Sequence, residues 1–392
     1  MRSPYHVFGT LLATLLPIPG FAQVAQVYLS TPSAIYAFNA ASDGRLTKVP
    51  GSPFPGGKNA ALSSMVVNGK YLFIVNGDGS PNSVSSNIDT WLMAPDGAVK
   101  KRGTTNISSR VANFVNIDSI VLDHSGQTLY VGVLGNAFLY LSFNIEKESG
   151  ELNYTGEIGG YPFVPPLSFS GNNLYGYAAI CGDLGLSLLG YNRLEDGVLI
   201  GGTLDASFPL TSPSDGFCPF ETAAADPYGH VAFSFQALKQ PGFYAPDGAA
   251  QLAAYATDSE GHLTTTSTYL NMPRVEVGYI NNMNMSPSGK LLAVGGDLGL
   301  QVFHFNGASP ITRFTGLINQ KAGADGGVFE FYWDNKDHLY AVFPDNHLRV
   351  YTITPTSIVE APGSPIPLPN DPGFTPALAV QVLPRNTPYH PE

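Results

Sequence analysis

A set of acidic and amide residues lies in the links that lead into short apolar stretches: Asp118, Asp215, Glu221, Glu276, Asp325 and Glu330, with Asn116, Asn281 and Asn282. Carboxylates of this kind can act as general acid and base. Carboxylates joined by amide oxygens can hold a divalent cation or the hydroxyls of a polyol. Glu221, in DGFCPFETAAADPYG, sits just ahead of an apolar run and beside Cys218, and is the strongest single candidate. Asp118 and Glu330 join it as candidate catalytic carboxylates, and Asn281, Asn282 and Asn116 as candidate ligand-binding amides. The plain alternative is that all of them are solvated loop residues. No G-x-S-x-G elbow, no HExxH and no phosphate-binding glycine loop in a βαβ setting is present.

The elements that must position these groups are short strands. Charged residues make up only 12% of the 392, while Gly (43) and Pro (32) are abundant. That mixture suits many strands joined by tight turns. A net charge of −11 with no basic run excludes a nucleic-acid surface, which needs clustered Lys and Arg. At the start, Arg2, the apolar run Val7 to Leu16 and the small residues around Gly20-Phe21-Ala22 read as a secretory leader cut after Ala22. No later run is long enough to span a membrane. The expectation is a secreted or periplasmic monomer, with residues 23–392 forming one domain. In an oxidising compartment the two cysteines, Cys181 and Cys218, would form a disulfide, with two buried thiols as the alternative.

A phrase recurs along the chain. An apolar strand carries a landmark at Tyr28, Phe73, Tyr130, Tyr175, Phe233, Ala293 and Tyr340, spaced 45, 57, 45, 58, 60 and 47 residues apart. Turns such as DHSG at Asp123, DPYG at Asp226 and SPSG at Ser286 introduce several of them. Each is followed by a hairpin around a D-G or E-G pair, as in IYAFNAASDGRLT or LLGYNRLEDGVL. Seven four-stranded units at this period predict an all-β, seven-bladed β-propeller. The first unit lacks an innermost strand, and PALAVQVLP (Pro376 to Pro384) is left over at the other end, so the C-terminal strand completes the first blade and closes the ring. The twin turns PGSP at Pro50 and Pro362 each lie 22 residues after their landmark and read as exits from an outermost strand that turn the chain inward.

The phrases IYAFNAASDGRLTKVPGSPF, VLDHSGQTLYVG and MSPSGKLLAVGG resemble the lactonase family of seven-bladed propellers, which includes 6-phosphogluconolactonase of the cycloisomerase-like type and many exported relatives. The resemblance spans the whole chain after the leader. It implies hydrolysis of a lactone or sugar ester at the mouth of the central channel. Enzymes of that family place a basic residue and a His just before the innermost strand. The matching positions here hold Asp118-Ser119, Glu221-Thr222, Asn281-Asn282 and Phe329-Glu330. Any such chemistry would therefore fall to carboxylates, alone or through a divalent cation. The other reading is a non-enzymatic propeller that holds a glycan, peptide or partner protein on its channel face. Phe38, Trp91, Tyr191 and Tyr255 recur at one phase and read as inter-blade core. The insert Gln236 to Gln251, with Phe243 and Tyr244, reads as an exposed recognition loop.

Overall fold

The computed structural model describes residues 22–385 apart from 32, 57–64, 78–84, 112–113, 115, 136–137, 160–164, 183–184, 202–208, 210–216, 241–242, 247–249, 319–326, 355 and 370–375. It gives the backbone alone at 77, 85, 181–182, 185–187, 217–221, 237–240 and 243–246. The leader, Asp215 and Asp325 lie outside the described residues.

Seven antiparallel sheets, each with at least four strands, succeed one another as the blades of a propeller. Counted from the axis outward, blade 2 is built from Met65–Val67, Tyr71–Gly77, Ser85–Met93 and Val99–Asn106. Blade 3 begins at Asn116–Leu122, blade 4 at Ser168–Phe169, blade 5 at Phe217–Ala225, blade 6 at Ile280–Met285 and blade 7 at Glu330–Trp333. Blade 1 takes its innermost strand from the far end of the chain. Ala377–Val382 pairs with Gln23–Ser30, from Ala25 opposite Val382 to Ser30 opposite Ala377. The leftover strand and the missing strand are one element.

All seven landmark residues lie on the second strand of their blade. Strand alternation divides each such strand between its two neighbours. In blade 1, Tyr28 faces blade 2 with Leu72, Ile74 and Trp91, while Val27 and Leu29 face blade 7 with Tyr340 and Val342. Among the described residues one apolar cluster fills each of the seven interfaces. Phe38, Trp91, Tyr191 and Tyr255 are all buried in these clusters, as their common phase predicts.

Tyrosines on these second strands also tie one blade to the next. Tyr71 donates to Glu148 O at 2.6 Å, Tyr130 to Gly197 O at 2.7 Å and Tyr177 to Gly261 O at 3.1 Å. Each acceptor lies in the outer hairpin of the following blade, so the glycine turns of these hairpins serve as sockets. On the face where first strands turn into second strands, neighbouring turns clasp each other. Asn68 Nδ2 donates to Gly126 O, Asn173 Nδ2 to Asp123 Oδ2, Ser288 Oγ to Asp337 Oδ1, and Gly69 N to Gln381 Oε1 across the seam. Gly171 lies so close to Pro227 that a Cβ would stand 1.8 Å from its carbonyl oxygen, so only glycine fits there.

The twin PGSP turns are the same structure built twice, with Gly51 at φ +85° and Gly363 at φ +83°. In each the serine hydroxyl takes over an acceptor role from the edge strand: Ser52 Oγ accepts from Ala37 N at 2.9 Å and Ser364 Oγ from Val350 N at 3.0 Å. The chain does not turn inward directly after the corner. It rejoins the third strand as a fifth, two-residue strand, Phe54–Pro55 in blade 1 and Ile366–Pro367 in blade 7. The hydroxyl satisfies the one ladder donor that the corner skips, which is why the sheet can continue past it.

The insert in blade 5 is a β-hairpin arm and not a loop. His230–Gln240 runs on as one strand and pairs again with Phe243–Pro246. The alternation VAFSFQAL carries the strand into the insert.

Candidate functional site

The innermost strands surround a central channel of about 1110 Å³. All of them start at the same face, so their first residues form its mouth. Register shows the layer. Ser119 opposite Gly132, Asn282 opposite Gly295 and Glu330 opposite Val342 hold equivalent positions in blades 3, 6 and 7.

In three blades this layer is irregular. The ladder slips between Ile117 and Ser119, between Ile280 and Asn282, and between Pro219 and Ala223. The extra residues are Asp118, Asn281 and the segment that contains Glu221. A β-bulge leaves its extra residue unpaired and re-aims its side chain. Three of the polar residues singled out from the sequence thus occupy bulges at the channel mouth. The signal was their place in the links that lead into the apolar innermost strands.

Asp118, Asn281, Asn282 and Glu330 line the channel. Asn116 begins its strand two residues earlier and is not among the lining residues. Glu276 faces away from the axis, held by Arg313 in a two-pronged ion pair with both contacts at 2.7 Å. For Glu221, Cys181 and Cys218 the structure gives the backbone only. The cysteines stand on Tyr175–Gly182 of blade 4 and Phe217–Ala225 of blade 5, strands that pack against each other.

Glu330 is the most perturbed acid of the site. Part of its side chain meets the lumen, but Oε2 is closed off and has no hydrogen-bond partner. Burial pushes its pKa up to about 8, so the carboxyl holds its proton at neutral pH. Burial also raises Asp118. Thr222, which the sequence reading passed over, lines the same channel with a buried hydroxyl that also lacks a partner. Unmet polar groups of this kind cost about 1–3 kcal/mol each unless a ligand or water meets them. A neutral carboxyl that can donate, a hydroxyl and two amides suit a ligand rich in oxygen. Among the described residues, no three His, Cys, Asp or Glu side chains come together as a metal site.

The sequence matches no protein-family profile and no curated protein at a significant level. Solved structures do match. A putative 6-phosphogluconolactonase from Bacteroides fragilis superposes with a TM-score of 0.60 at 12% identity, over 92% of this chain and 98% of that one. A periplasmic gluconolactonase from Pseudomonas aeruginosa gives 0.61 at 16%, over 90% and 99%. Hydrazine synthase from Kuenenia stuttgartiensis gives 0.52 at 13%, over 89% and 100%. At these identities the likeness establishes the seven-bladed fold, which proteins named for quite different chemistries share.

Proposed function

We propose that the protein is a lactonase-like hydrolase of a small, oxygen-rich ester such as a sugar lactone, acting at the channel mouth. The observation that carries this reading is Glu330, a carboxyl with a pKa of about 8 and an unpartnered oxygen in a channel of ligand size. Two carboxyl groups in differently perturbed settings divide the labour. Asp118 takes a proton from water as its oxygen attacks the lactone carbonyl carbon. The ring C–O bond then breaks, and the departing oxygen takes the proton of Glu330. One water is consumed and a hydroxy acid leaves. Asn281, Asn282 and Thr222 orient the hydroxyls, and Glu221, whose backbone lies in the bulged segment, is the alternative base.

Export agrees with this use. Cleavage after Ala22 leaves the strand Gln23–Ser30 whole, and no helix among the described residues is long and apolar enough to cross a membrane. In that compartment Cys181 and Cys218 would pair and brace the mouth between blades 4 and 5.

The test is hydrolysis of a panel of γ- and δ-aldonolactones followed by pH-stat, with and without divalent cations. Turnover of at least one lactone is expected, with kcat about 10²-fold lower in Glu330→Gln. If the whole panel stays intact, the hydrolase reading fails. One observation favours a second reading, a channel that binds its ligand without turning it over. His124 and Arg385 are the basic groups among the lining residues, and both lie past the far ends of their strands. No cation among the described lining residues therefore stands at the mouth to steady an oxyanion. Retained binding of an aldonolactone without turnover would select that reading.

A further inference from the structure

The face that blade 2 turns toward blade 1 begins as core and ends as a polar groove. Leu72, Ile74 and Trp91 pack against Tyr28, Ile35 and Ala37. On the same face of the same two strands follow Asn76 and Asp89. Beside them opens a groove of about 500 Å³, walled on the blade 1 side by Phe54, Pro55 and Gly56. Asp89 is nearly closed to solvent, and its carboxylate is fully engaged. Oδ2 accepts from Asn76 Nδ2 at 2.7 Å and from Lys101 Nζ at 2.8 Å, and Oδ1 accepts from Thr104 Oγ1 at 2.6 Å. Two buried atoms of lining residues remain without any partner: the indole donor Nε1 of Trp91 and the amide acceptor Oδ1 of Asn76.

The fold does not require this set. The equivalent corner of blade 7 delivers Ile366 and Pro367 to the next interface, where Ile366 joins Tyr36 and Phe38 in an apolar cluster. One scaffold is thus used twice, and in one copy polar groups stand where the other has apolar filling: a buried aspartate paired with an exposed lysine, and two unmet hydrogen-bonding groups. Buried polar atoms without partners are costly and uncommon in native structures.

We propose that the groove between blades 1 and 2 binds a saccharide, at a site separate from the central channel. The chemistry of the two unpartnered groups selects this class. Trp91 Nε1 needs an acceptor and Asn76 Oδ1 needs a donor, and a hydroxyl can serve as either. Asp89 and Lys101 cancel each other's charge, so a neutral ligand meets no unbalanced ion. Phe54 and Pro55 give the C–H face of a sugar ring an apolar wall, beside polar groups that fix its orientation.

The chain has two tryptophans, and they divide between the two cavities: Trp91 in the groove and Trp333 in the channel. In Trp333→Phe, emission therefore reports on the groove alone. Titration of that variant with maltotriose, cellotriose and mannotriose is expected to give a saturable change in Trp91 emission with at least one of them. Asn76→Ala and Phe54→Ala, made in the same background, should each weaken that binding about tenfold. Phe54→Ala leaves the Asp89 network whole, so it carries the test should Asn76→Ala fail to fold. The proposal is overturned if none of the three sugars changes the emission, or if a folded variant of either kind binds as tightly as its parent. Lactone turnover in the channel is read separately, so neither result decides the other.

Discussion

Arg193 of blade 4 reaches Asp123 of blade 3 at 2.7 Å, with the aspartate side chain fully closed to solvent and the arginine 12% exposed. The same carboxylate accepts from Gln127 N, Thr128 N, Ser125 Oγ and Asn173 Nδ2. Asp123 is at once the cap of its own turn and the socket for the next blade.

Removing the cation should strand that buried charge. Arg193→Met is expected to lower stability by about 3 kcal/mol, measured as a shift in the urea midpoint at unchanged slope. A loss of a few tenths would mean that the four other donors suffice.

The PGSP corners make a paired prediction. Ser52→Ala and Ser364→Ala each remove the acceptor of one ladder N–H, so each should cost about 1 kcal/mol. The two sites sit in different blades and share no partner, so the double mutant should cost their sum. Replacement by Thr, which keeps the hydroxyl, should recover most of the loss.

Glu330 links stability to pH with a definite sign. Its folded value of about 8 lies above its ordinary 4.5, so the folded state favours the protonated form. Its contribution is complete below pH 4.5, declines as pH rises and is gone above about 8. Stability of the parent minus that of Glu330→Gln, from urea titrations at several pH values, should fall across this window. A flat difference would place the carboxyl in bulk-like solvent.

The cysteines can be settled by chemistry. We expect Cys181 and Cys218 to appear as one linked pair of peptides when the protein, expressed into an oxidising compartment, is digested without reductant. Full alkylation of both thiols before reduction would exclude the bond.

The ring was legible in the sequence because it is written in local repeats. Tyr28 to Tyr340 mark second strands at intervals of 45 to 60 residues, and a strand missing at one end matched a strand spare at the other. The site was legible only in part. Asp118, Asn281 and Glu330 could be placed by their position at the start of an innermost strand, but Glu276, in the link ahead of the same strand as Asn281, is captured by Arg313, 37 residues further on. The groove was invisible for a related reason. Asn76, Asp89 and Lys101 lie on three different strands, and each reads alone as an ordinary exposed polar residue. Only the fold brings them together beside the wall that blade 1 supplies through Phe54 to Gly56.

The seam also decides how the molecule would respond to a pull. Gln23–Ser30 and Ala377–Val382 run antiparallel, with Ala25 opposite Val382, so both ends of the folded chain leave from the same end of one strand pair. Force applied between the termini acts across the hydrogen bonds and loads them one at a time, as a zipper is loaded, because the bonds lie perpendicular to the strands. Blade 1 should peel first and at low force, whereas handles attached within any other blade would have to shear whole sheets. The same pairing that makes the ring continuous is its weakest line under tension.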